Sequence, residues 1–140
     1  MQATSIQTVN SISAPAAAVW EHLRTGQGVD KWFAPITACR VEGNRRYCEA
    51  GEASLEETIL GSDDGTMTFR YRIDEQNMMP VTGIVGSMRL EATGPESCNL
   101  HWDVNFVPNE GVPVDALTEQ IKGMYAIGAQ GLEAAAKVAG

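Results

Sequence analysis

The nine residues from Thr66 to Asp74 alternate without a break. Met67, Phe69, Tyr71 and Ile73 fall on one side of an extended chain, and Thr68, Arg70, Arg72 and Asp74 on the other. Successive strand side chains leave on opposite faces, so this period of two predicts a sheet with one dry and one wet face. The run from Cys98 to Phe106 repeats the pattern, with Cys98, Leu100, Trp102, Val104 and Phe106 set against Asn99, His101, Asp103 and Asn105. Between Ser54 and Leu60 one residue breaks it: Glu57 shares its face with Leu55 and Ile59. A carboxylate on a dry face points to a cavity more than to a plain core.

The remaining segments predict an α+β chain. Residues 4–13 read as a first strand. Ser13 or Ala14 is expected to cap a helix with Pro15 in its first turn and Val19, Trp20 and Leu23 on its apolar side. A short second helix over residues 29–33 carries Trp32. Strands follow at 36–42, 46–50, 54–60, 67–73, 81–92 and 97–107, and residues 74–80 form a loop. Val114, Leu117, Ile121, Met124, Gly128, Leu132 and Ala135 recur at helical spacing, so residues 114–138 predict one long helix. Its glycines Gly123, Gly128 and Gly131 reduce its bulk, either for a ligand or for close sheet packing.

Bulk properties narrow the function. A chain of 140 residues, 44% apolar and 20% charged, suits one globular domain. A net charge of -8 with no basic stripe argues against nucleic acid. No stretch approaches the ~20 apolar residues of a membrane span. The first residues lack the basic and apolar regions of a signal peptide, and three cysteines are an odd number, so reduced thiols in a cytoplasm are expected. Monomer and homodimer both remain open.

Turn geometry adds two pairings. A two-residue turn at Gly43-Asn44 pairs residues whose numbers sum to 87 and sets Cys39 against Cys48. One at Gly51-Glu52 pairs residues summing to 103 and sets Arg46 beside Glu57, both inward. Three roles are open to Glu57: a buried ion pair, a ligand anchor, or the catalytic acid or base of an enzyme. Tyr71 is either a core aromatic or a pocket residue. Met67, Met79, Met88 and Met124 are either core or an adaptable lining, and Trp32 and Trp102 carry the same ambiguity. The segment Asn77-Met78-Met79-Pro80 is a candidate lid. His22 and His101 lie on the polar sides of their elements with no partner at metal-ligand spacing, so no metal site is expected. With no nucleophilic triad and no phosphate-binding glycine loop, no cofactor is expected either.

The ordered motifs resemble the polyketide cyclase/dehydrase-like family, within the START-related, birch-pollen-allergen-like helix-grip superfamily. They are Ile12-Ser13-Ala14-Pro15 with Val19-Trp20, then Trp32, Cys39-Arg40-Val41-Glu42-Gly43, Arg46, and Glu57-Thr58-Ile59-Leu60 with Asp63 or Asp64. Tyr71-Arg72-Ile73, Pro80-Val81, Trp102 with Phe106, and Tyr125 with Leu132 complete the set. The resemblance implies a seven-stranded curved antiparallel sheet wrapped around the long C-terminal helix, with two short helices after the first strand. It also implies a bacterial, cytoplasmic protein that binds a small, largely apolar molecule of lipid, polyketide or aromatic type. Trp32, Arg46, Glu57, Phe69, Tyr71 and Met79 are the expected contacts, with Met88, Trp102, Met124 and Tyr125. Thr37 resembles a pocket position as well, the alternative being a hydroxyl satisfied locally. The other readings are a cyclase, aromatase or dehydratase using Glu57, and an interaction protein with a filled core.

Overall fold

The computed structural model describes residues 3–139. Seven strands form one antiparallel sheet: β1 (Thr4–Ile12), β2 (Ala38–Glu42), β3 (Arg45–Ala50), β4 (Ala53–Asp63), β5 (Thr68–Gln76), β6 (Val81–Gly94) and β7 (Ser97–Pro108). Their spatial order is β1-β7-β6-β5-β4-β3-β2. The strands β2 to β7 thus form a meander of hairpins, and β1 adds beside the last of them, leaving β1 and β2 as edges. Between these edges the chain crosses through two short helices, α1 (Ala16–Trp20) and α2 (Val29–Trp32). The chain ends in α3 (Val114–Ala139), which packs across the concave face.

The alternation seen in the sequence sets which face is dry. Cys98, Leu100, Trp102, Val104 and Phe106 are all buried against the helices. Phe69 and Tyr71 are buried and Ile73 half-buried. Register shifts between Glu56 and Glu57 and between Ile59 and Gly61 interrupt the β4–β5 ladder. Such bulges raise local twist and bend a strand, which lets a sheet curl around a helix.

On α3 the buried stripe is Leu117, Ile121, Tyr125, Ala129, Leu132 and Ala136. Gly128 and Gly131 serve close packing, whereas Gly123 faces open space. A Cβ at Gly128 would stand 2.8 Å from the Trp102 ring and 3.2 Å from Phe33, and one at Gly131 would collide with the Trp32 carbonyl of α2.

Three local expectations need correction. Met67 belongs to the turn before β5, with φ 49, because β4 runs on to Asp63 and displaces the turn by several residues. The N-cap of α1 is Pro15, with no side-chain capping bond. Ser13 instead donates its backbone N–H to Glu133 Oε1 of α3 at 2.6 Å. The loop expected over residues 74–80 is shorter, because β5 extends through Gln76.

Candidate functional site

Both hairpin registers follow from their turns. Cys39 stands opposite Cys48, and Arg46 opposite Glu57. Arg46 is 6% exposed and Glu57 4%. The Arg46 guanidinium donates from Nε and Nη2 to Glu57 Oε1, at 3.1 and 2.5 Å, and from Nη1 to the Gly26 carbonyl at 3.1 Å. It also lies over the rings of Phe69 and Tyr71, 5.2 and 5.5 Å from their centroids. Burial opposes the arginine charge, but the Glu57 carboxylate outweighs it and holds Arg46 above its ordinary value. Both bonds from Arg46 fall on one carboxylate oxygen, and among the described residues nothing bonds Glu57 Oε2.

A second polar group sits deeper. Trp102 stacks on Tyr125 with ring centroids 3.8 Å apart and planes 2° from parallel. Its Nε1 donates to the Tyr71 hydroxyl at 2.9 Å. The Tyr71 ring passes directly over Gly86, its cross-strand partner, where a Cβ would stand 2.6 Å from Cε1. Burial pushes both phenols up, Tyr125 strongly, so both remain neutral near pH 7. They can hydrogen-bond a ligand, but they are not bases.

These groups line one cavity of about 70 Å³ between the sheet and α3. Trp32, Arg46, Glu57, Phe69 and Tyr71 form part of its wall, and Met79, Met88, Trp102, Met124 and Tyr125 also face it. Thr37 does not. It is exposed, just before β2, where its hydroxyl donates to the Glu49 carbonyl and accepts the Gly51 N–H, each at 3.2 Å. Met67 is also absent from this wall.

The sequence missed His22, Phe33 and Gly26, which join the wall. His22, expected on the polar side of its helix, is half-buried. Its spacing of three from Val19 was the available signal, since that spacing shares a helical face. Two polar atoms here are sealed from solvent and lack a partner among the described residues: His22 Nε2 and Trp32 Nε1.

The lid candidate is pinned. Gln76 Oε1 accepts the N–H groups of Met78 and Met79 at 2.8 and 2.7 Å, and its Nε2 donates to the carbonyls of Met79 and Val81 at 2.8 and 2.9 Å. One side chain therefore fixes the backbone while the two thioether chains point among apolar neighbours. A larger concavity, about 660 Å³, lies at the β2–β4 edge, but Glu49, Glu56 and Glu75 make it a polar outer groove. Among the described residues no cluster of His, Cys, Asp and Glu suits a metal ion.

A family model described as polyketide cyclase/dehydrase and lipid transport matches residues 3–137. The chain belongs to this family. Solved structures agree on the fold. A Bacillus thuringiensis protein shares 18% identity with a TM-score of 0.84, covering 94% of this chain and 98% of its own. A START superfamily protein from Mycobacterium smegmatis shares 11% identity at TM-score 0.83, covering 97% and 99%. Ara h 8.0201 shares 16% at TM-score 0.77, covering 98% and 99%. At such identities these likenesses establish the helix-grip fold, and no more. No curated protein matches the chain. The family supports a general role in binding hydrophobic ligands. No helix among the described residues is long and apolar enough to cross a membrane.

Proposed function

We propose that this protein binds a small, largely apolar molecule of lipid, polyketide or aromatic type in the cavity between sheet and α3. The ligand carries a polar end that reaches the Trp32 and His22 nitrogens. One observation carries the reading. Both nitrogens are buried and unpartnered, and both side chains line the same largely apolar wall. An unsatisfied buried donor or acceptor costs about 1–3 kcal/mol, which a ligand carbonyl or hydroxyl recovers. Arg46 is already neutralised by Glu57, so an uncharged polar end suits the site better than a carboxylate.

Ligand pockets usually measure about 300–1,000 Å³. The 70 Å³ present is therefore a closed state, and loading requires side chains to move. Met78, Met79, Met88 and Met124 are the adaptable part of the wall, being unbranched and rich in rotamers. Native mass spectrometry of freshly purified protein tests the reading. A bound apolar molecule is expected. A ligand-free protein that also fails to take up fatty acids, sterols or polyphenols would leave a filled core as the better description.

The free Oε2 of Glu57 favours a second reading, a cyclase- or dehydratase-type enzyme in which this oxygen moves a proton. Loss of turnover with retained binding in Glu57→Gln would select that reading over simple carriage.

A further inference from the structure

Cys39 and Cys48 take no part in the cavity wall, yet their placement is unusual. Opposite one another across β2 and β3, their sulfurs stand 2.7 Å apart, closer than two unbonded sulfurs ordinarily sit. Cys39 is half-buried and Cys48 buried, and both line the outer groove at the sheet edge. A disulfide needs about 2.05 Å between sulfurs and about 3.5–4.5 Å between Cβ atoms. Directly opposite strand residues hold their Cβ atoms about 4.5–5.5 Å apart. The remaining closure is small, and β2 is an edge strand, with no strand among the described residues on its far side to resist it.

We infer that Cys39 and Cys48 form a redox-active dithiol that reacts with small disulfides and closes to an internal Cys39–Cys48 bond. The half-buried Cys39 is the attacking thiolate. It forms a bond to one sulfur of a disulfide such as oxidised glutathione and expels the first glutathione as thiolate, which takes up a proton. Cys48 then loses its proton to solvent and attacks Cys39 Sγ, and the second glutathione leaves. In sum, two protein thiols and one glutathione disulfide give one protein disulfide and two glutathione thiols. The protein is oxidised by two electrons and glutathione disulfide is reduced by two. Electrostatics agree with these roles. Contact with Cys48 lowers the Cys39 thiol. That same contact, and then burial, push Cys48 up.

Cys98 supplies an internal control, being 1% exposed on β7. The protein is incubated with glutathione disulfide, acid-quenched, unfolded, alkylated with iodoacetamide and mapped by peptide mass spectrometry. The expected result is loss of two of the three alkylatable cysteines, a Cys39–Cys48 linked peptide, and full recovery with dithiothreitol. Cys48→Ser should retain one glutathione on Cys39. Cys39→Ser should react at least tenfold more slowly than the parent. Three alkylated cysteines in the treated parent would overturn the inference, as would a lasting glutathione adduct on parental Cys39. Modification of Cys39→Ser as fast as the parent would reverse the assignment of the nucleophile. The parent's peptide map decides the matter even if a variant fails to fold.

Discussion

Replacing Glu57 by leucine should destabilise the protein by about 3–5 kcal/mol, the usual cost of breaking a buried ion pair from one side. The structure explains why Arg46 cannot escape that penalty by turning to water. Its guanidinium is fixed by the Gly26 carbonyl and covered by Phe69 and Tyr71. Removing Glu57 leaves a buried cation with one carbonyl bond in place of three bonds. Total stabilities of such domains are about 5–15 kcal/mol, so the loss is a large fraction. The double variant Arg46→Met/Glu57→Leu removes both charges at similar volume. Such exchanges are often neutral, or stabilising by about 1–4 kcal/mol. Urea unfolding followed by tryptophan fluorescence measures all four proteins, and the cycle gives the coupling directly. A Glu57→Leu protein as stable as the parent would show that Arg46 reaches solvent. A double variant as weak as the singles would show that the pair's shape, not its charge, matters.

Gly86→Ala should cost about 1–3 kcal/mol from overpacking alone, because the new methyl group displaces the Tyr71 ring and breaks its bond from Trp102; the check is a lowered urea midpoint with altered near-UV circular dichroism. Trp102→Ala should cost about 3–5 kcal/mol, and a variant as stable as the parent would contradict its place beneath α3. Trp32→Phe deletes an unpartnered N–H together with buried ring volume, so binding is the readout: calorimetry should show at least tenfold weaker binding of any co-purified molecule. Asp74 is held below the usual carboxylate range by Thr58 first and then Arg72. A folded value below the unfolded one means its contribution is present above about pH 4 and fades as pH falls through the folded value. The stability gap between Asp74→Asn and the parent should therefore be seen at pH 7 and shrink by pH 3.

The alternation from Thr68 to Ile73 and from Cys98 to Phe106 was legible because strand direction is a local property with a period of two. The pairs Cys39–Cys48 and Arg46–Glu57 were legible because Gly43-Asn44 and Gly51-Glu52 are tight turns, and a tight turn fixes register on both sides. Thr37 misled because its apparent alternation with Cys39 begins one residue before β2 does. Its hydroxyl is consumed by Glu49 and Gly51, two backbone partners that only the folded hairpins bring near.

By itself, then, the sequence determined which segments are strands, the inward faces of β5 and β7, the two hairpin registers and the placing of Arg46 opposite Glu57, all set by neighbours within a few residues or by one turn. Tertiary structure alone decided the rest. It brought His22 and Trp32 to the wall of one cavity and left both nitrogens unpartnered, closed that cavity to about 70 Å³, and laid Tyr71 over Gly86. Those outcomes depend on how α1, α2 and α3 settle on the sheet. Packing of that kind sums many small contacts between distant segments, and no local pattern encodes the sum.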